Sequence, residues 1–310
     1  MRPTLYQGNW FRLALQLRGS VVFSILPRTL VCSLFGVFIS WLHQLGWPVS
    51  LPVLVAFVPN VVLGLLLVFR TNTAYDRFWE GRKHWGSLVN IVRNLARQIW
   101  VAVGEKDEQD RLHKARVLHL LVAFAVAMKL HLRHQRPNRE LEQLVSPQQF
   151  AKLQEMNNPP LEVALWIGDY LQSQYHRGLV NTYQLTAMHV LLNGMVDTLG
   201  ACERILKTPI PPAYAIHLKQ MLLMYCLALP FQMVETLSWL TGPIVGIFSF
   251  TLLGIEEIGI EIENPFGFDA NDLPLDAICL TMLRNIEDLL TVTPESCQWH
   301  RFASSLSTKE

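Results

Sequence analysis

The 41 residues from Thr29 to Phe69 contain no Asp, Glu, Lys or Arg. A single bilayer crossing takes about 20 apolar residues, so this run is long enough for two. The stretch His43-Gln44-Leu45-Gly46-Trp47-Pro48 divides it into Leu30–Leu45 and Leu51–Phe69. Trp41 and Trp47 sit at the break, where aromatic rings favour the lipid–water interface. A second apolar block, Gln220 to Ile255, is interrupted only by Glu235. It predicts another hairpin, Met221–Val234 and Leu237–Ile255, turning near Glu235-Thr236, with Tyr214 and Ala215 lengthening the first arm. Two buried hairpins of a soluble helical protein are the alternative, and the charge-free length favours four crossings.

The basic residues orient these crossings. Residues 1–28 hold Arg2, Arg12, Arg18 and Arg28 and no acid; Arg70, Arg77, Arg82 and Lys83 follow the second crossing, and Lys207 and Lys219 precede the third. The hairpin tips carry no Lys or Arg. The positive-inside rule then places both termini and the long middle segment in the cytoplasm of a cell whose inner membrane holds the protein. The plan is an N-terminal cytosolic amphipathic helix in 1–28, a first hairpin at 29–69, a cytosolic helical region at 70–216, a second hairpin at 217–256 and a cytosolic segment at 257–310. Within 1–28, Trp10, Phe11, Leu13, Ala14, Leu17 and Val21 share one helical face. The segment lacks the basic, apolar and small-residue order of a signal peptide.

Residues 70–216 are helical in period and charged. Phe78, Trp85, Leu88 and Val92 continue the second crossing as an amphipathic helix. The apolar run Val117–Met128 is only 12 residues long, which suits a buried core helix better than a crossing. Gln135-Arg136-Pro137-Asn138 and Met156-Asn157-Asn158-Pro159-Pro160 are turn clusters. Helices are predicted over Leu161–Gln174 and Thr182–Leu206, and Thr208-Pro209-Ile210-Pro211-Pro212 leads back to the membrane. No β-period appears. The fold class is therefore all-α.

Only 16% of the chain is charged, against roughly 25% in soluble proteins. A net charge of +1 gives nucleic acid no electrostatic footprint. The 51% apolar content excludes a disordered chain. Cys32, Cys202, Cys226, Cys279 and Cys297 show no metal-ligand spacing and read as reduced, packed thiols. His113, His119, His131 and His134 lie on or beside one helix without matching carboxylates, so neither a metal nor a cofactor is expected. GxSxG, Walker, HExxH and GxGxxG patterns are absent, which argues against an enzyme. Composition alone leaves a channel, a transporter, a membrane enzyme and a scaffold open.

Three motifs go further: Phe69-Arg70-Thr71-Asn72-Thr73-Ala74-Tyr75-Asp76-Arg77-Phe78-Trp79-Glu80-Gly81-Arg82, Gly200-Ala201-Cys202-Glu203-Arg204-Ile205, and Glu263-Asn264-Pro265-Phe266-Gly267-Phe268-Asp269-Ala270-Asn271-Asp272. Together they resemble the bacterial branch of the bestrophin family, over nearly the whole chain. The resemblance implies a homopentameric ion channel whose partners are its own copies, the permeant ions and the lipid bilayer, with no catalysis. Chloride or a similar small anion is the implied cargo; monovalent cations are the first alternative, and a non-conducting scaffold the second. Counting back from Arg77 implies a pore neck at Val61, Leu65 and Phe69. Their i, i+4, i+8 spacing independently puts them on one helix face, although such a stripe can also face lipid or a neighbouring helix. A cytosolic constriction is implied at Thr186, with Leu185 and His189 within a turn of it. Where animal members carry an acidic calcium clasp, this chain keeps only Asp269 and Asp272, too few for a site that wants six to eight oxygens. Asp269 and Asn271 are instead expected to cap the following helix.

Overall fold

The structure is a computed structural model that describes residues 16, 19–51 and 57–292, with the backbone alone for 57–60. The expected amphipathic helix in 1–28 lies largely outside the described residues. Every regular element among the described residues is helical. They are α1 (Val22–Gln44), α2 (Phe57–Ala102), α3 (Glu108–Leu132), α4 (Arg139–Glu142), α5 (Pro147–Glu155), α6 (Pro159–His176), α7 (Thr182–Lys207), α8 (Pro212–Leu237), α9 (Thr241–Glu263) and α10 (Leu275–Thr291). Two compact units share them: Met1–Trp79 with Thr208–Asp272, and Glu80–Lys207 with Leu273–Glu310.

In the first unit α1 packs most closely on α9, and α8 lies against both. The close approach is set by glycine. A Cβ on Gly242 would lie 2.4 Å from Val37 Cγ2, and one on Gly246 would lie 3.1 Å from Ser33. Gly242 and Gly246 form a GxxxG pair, the small-residue stripe that lets membrane helices meet without a hydrophobic driving force. Ser33 Oγ donates to Gly242 O at 3.0 Å and Ser40 Oγ to Ser238 O at 2.9 Å, adding polar ties across the interface. The outer faces of these helices present bare apolar side chains, among them Phe23, Val31, Leu34, Leu223, Met224, Ile247 and Phe248. A helix exposing such a surface belongs in lipid. This is a membrane protein.

Three boundaries differ from the sequence expectation. The helix that carries the first expected crossing starts at Val22, ahead of Leu30, so Arg28 lies on it, paired with Glu257 at 3.0 Å. The second hairpin turns at Ser238 (φ +48°), not at Glu235-Thr236, because Glu235 stays in α8 and accepts from Ser50 Oγ at 2.7 Å. The helix after Asp272 is capped by neither Asp269 nor Asn271; Pro274 stands at its N-cap. Asn271 Nδ2 donates to Glu261 Oε2 at 2.6 Å instead, and the Asp269 N–H donates to Asp272 Oδ2 at 2.7 Å.

The second unit is built round α3. By hydropathy α3 also qualifies as a membrane span, yet 78% of its apolar window is buried in protein, against 28% for α1. A helix apolar on all sides is buried somewhere, and here α6, α7 and α10 cover it. Its two buried lysines, Lys114 and Lys129, are matched by carboxylates. Lys129 Nζ donates to Glu140 at 2.5 Å and Asp276 at 2.7 Å. Burial opposes the ammonium, but these two carboxylates more than offset it and hold its pKa above the ordinary value. The turn clusters act as helix caps: Asn138 and Asn158 accept from N–H groups of α4 and α6, and Ser146 with Gln149 forms a capping box on α5.

Candidate pore

The apolar stripe of the second crossing lies on α2. Its packed face is Leu63, Leu67, Arg70 and Ala74, each almost fully buried. Leu63 and Leu67 join Leu218 and Leu222 of α8 in one apolar cluster, and Tyr214 Oη donates to Leu66 O at 2.7 Å. Val61, Leu65 and Phe69 lie about 200° round the helix from the packed leucines. They are 42%, 51% and 59% exposed, so no described residue buries them. The same face continues through Asn72 to Asp76, which is also exposed.

What fixes this rotation is a clamp directly below Phe69. Arg70 is 4% exposed, and its Nη2 donates to Glu263 Oε2 at 2.6 Å. The other carboxylate oxygen, Glu263 Oε1, accepts from the Ile210 N–H at 3.0 Å. Arg77 Nε donates to Glu263 O at 3.1 Å, and its guanidinium also reaches Thr208 O. Gly259 packs beside Arg70, whose Cγ would be in ordinary contact, at 3.5 Å, with a Cβ there. Glu263 therefore gathers the first motif, the third motif and the Thr208–Pro211 connection at one carboxylate. Arg70 Nη1 is buried without a hydrogen-bond partner among the described residues, so Glu263 is its main compensation.

Thr186 lies near the start of α7 and is exposed, its Oγ1 donating to Thr182 O at 2.8 Å. Tyr183, Val190, Asn193 and Asp197 share its exposed strip at helical spacing. Leu185 is buried and His189 half-buried, so of the three only Thr186 presents itself to the outside of the protomer.

The motif around Glu203 has a structural role that spacing missed. His131 Nε2 lies 2.8 Å from Glu203 Oε1, so one of the four histidines does have a carboxylate partner, contributed by another helix. Asn158 Nδ2 donates to the same oxygen at 3.1 Å, and Lys207 Nζ to Oε2 at 2.9 Å. Burial raises the Glu203 carboxyl, but Lys207 and His131 prevail and leave it below the usual range. Glu203 thus ties α7 to α3 and to the cap of α6.

The sequence pattern of a family described as "Bacterial/Fungal Bestrophin protein" matches residues 2–288. The voltage-dependent anion channel-forming protein alr2987 of Nostoc is 64% identical, over 94% of this chain and 95% of the relative. The voltage-dependent anion channel-forming protein sll1024 of Synechocystis is 55% identical over 97% of each. Among solved structures, a bacterial bestrophin homologue from Klebsiella pneumoniae superposes with a TM-score of 0.77 at 28% identity, over 88% of this chain and 99% of the other.

Proposed function

The chain belongs to the bacterial and fungal bestrophin family, and from that premise we propose that five copies assemble round one axial pore that conducts small anions such as chloride. Ions cross down their gradient; no bond is made or broken. The observation that carries this reading is the exposed stripe Val61, Leu65 and Phe69, held opposite the packed face of α2 and directly above the Arg70–Glu263 clamp. Repeated fivefold, it makes three apolar layers one turn apart, a constriction that gates by dewetting. Thr186 forms a second, wetter ring. The names of the two relatives above support an anion as the cargo. The test is chloride efflux from liposomes holding purified protein, with the oligomer weighed by native mass spectrometry. Efflux from a pentamer supports the reading, and a monomer or a silent liposome contradicts it.

One observation favours monovalent cations instead. Asp76 is exposed two turns below Phe69 on the same face, and a ring of carboxylates attracts cations. A reversal potential separates the two cargoes.

The Lys and Arg distribution supports an inner-membrane topology with both termini cytoplasmic. An impermeant maleimide applied to intact cells should label Trp47→Cys, which leaves in place the neighbouring Gly46, whose φ of +83° suits glycine, and should not label Glu310→Cys. The opposite pattern contradicts this topology.

Calcium is not the proposed trigger. Asp272 already accepts from the loop backbone and Asn271 is engaged by Glu261, so the loop has few oxygens to spare. Current should be the same in chelator and in calcium at about 10⁻⁶ M, where sensor sites fill. Calorimetry that finds a site at such concentrations, lost in Asp272→Ala, contradicts the expectation.

A further inference from the structure

A cleft of about 410 Å³ opens between α1, α8 and α9, away from the pore stripe. Arg28 and Lys219 stand at its mouth beside the buried Glu256, which lies 3.9 Å from Lys219, and Val31, Leu223 and Leu253 line its apolar walls. At its depth lie two thiols, Cys32 and Cys226. Cys32 is one turn beyond Arg28, and Cys226 is two turns beyond Lys219, so each wall leads from a cation to a sulfur.

Both cysteines are free, and they belong to one apolar cluster with Leu229 and Val245. They line the same cleft, and Ser249 is their polar neighbour. Ser249 is fully buried, and its Oγ has no hydrogen-bond partner among the described residues. A hydroxyl buried without a partner in an apolar interior is costly, which makes this one an anomaly of the membrane core unless the thiols use it. By contrast, Cys202 and Cys279 are buried singly, and neither lines this cleft.

We propose that Cys32 and Cys226 are a dithiol site that an organic hydroperoxide, entering from the bilayer, converts to a disulfide tying α1 to α8. Apolar walls select a lipid-soluble oxidant. Cys32, 7% exposed against 1% for Cys226, is the sulfur that meets the oxidant. Its thiolate attacks the outer peroxide oxygen, the O–O bond breaks, and the departing alkoxide takes a proton to become the alcohol. Cys226 sulfur then attacks the Cys32 sulfenic acid, forming the S–S bond and releasing water. In sum, one hydroperoxide and two thiols give one disulfide, one alcohol and one water; the peroxide gains the two electrons the sulfurs lose. Ser249 is a positioning residue that donates to the sulfur bearing negative charge.

The test uses the full chain in lipid nanodiscs, reduced and then exposed to cumene hydroperoxide. Free thiols are blocked with N-ethylmaleimide after denaturation, and the peptides are mapped by mass spectrometry. A Cys32–Cys226 cross-linked peptide should appear, with loss of alkylation at both positions, recovery by dithiothreitol, and Cys202 and Cys279 still reduced. In Cys226→Ser, dimedone should trap a sulfenic acid on Cys32. Full alkylation of Cys32 and Cys226 in the wild-type chain, oxidation of each without a cross-link, or oxidation of Cys202 and Cys279 at the same rate overturns the proposal.

Discussion

Replacing Val61, Leu65 and Phe69 together with alanine should raise the current through the reconstituted protein by about tenfold, the effect of lowering a barrier by about 1.4 kcal/mol. In the proposed pentamer, five large apolar side chains per layer exclude water from the neck, and a hydrated ion must shed part of its shell to pass. Alanine widens each layer enough for water to remain. The stability cost should be small, because all three side chains are exposed in the protomer and their removal opens no buried cavity. Leu63 and Leu67, one face away, supply the control. They are 3% and 4% exposed within the α2–α8 cluster, and truncating either should cost about 2–5 kcal/mol without raising the current. Melting temperature and bilayer current on the same preparations separate the two faces. A triple variant that assembles poorly and conducts no better than the parent assigns the stripe to packing instead.

The Arg70–Glu263 clamp should show the largest loss of stability. Glu263→Ala leaves a guanidinium with a 5% exposed side chain facing a vacated carboxylate position. Removing one partner of a buried ion pair costs about 3–5 kcal/mol, since the other charge stays buried and uncompensated. The Ile210 N–H loses its acceptor at the same time, while the bond from Arg77 to the Glu263 backbone survives. Replacing both partners with methionine should be less damaging than Glu263→Ala alone, because no orphan charge remains. Thermal unfolding in detergent gives the order: parent, then double variant, then Glu263→Ala. A Glu263→Ala protein as stable as the parent would show that water reaches Arg70.

The parts of the fold legible in the sequence are those set by local composition. The charge-free run from Thr29 to Phe69 falls on α1 and the start of α2, and the shortness of Val117–Met128 marks a helix buried in protein rather than one with a bare apolar surface. Asn138 and Asn158, each just ahead of a helix, are readable as caps. Charge was a poorer guide to where helices end. Arg28 and Glu235 sit within helices, because each finds a polar partner near the helix end, Glu257 and Ser50 respectively. Partners distant in sequence were not legible at all. Glu263 meets Arg70 across 193 residues, and His131 meets Glu203 across 72, and nothing in a single chain's spacing announces either pair. The helical period does predict that Val61, Leu65 and Phe69 share a face, but only the burial of Leu63, Leu67 and Arg70 shows that this face is left uncovered.

The most direct measurement is the reversal potential of the purified protein in a planar bilayer with a potassium chloride gradient. An anion pathway through the Val61–Leu65–Phe69 neck predicts a reversal potential near the chloride equilibrium value, retained in the triple alanine variant while its current rises. A reversal potential near the potassium value, moved toward zero by Asp76→Asn, contradicts anion conduction and assigns selectivity to the carboxylate ring below the neck.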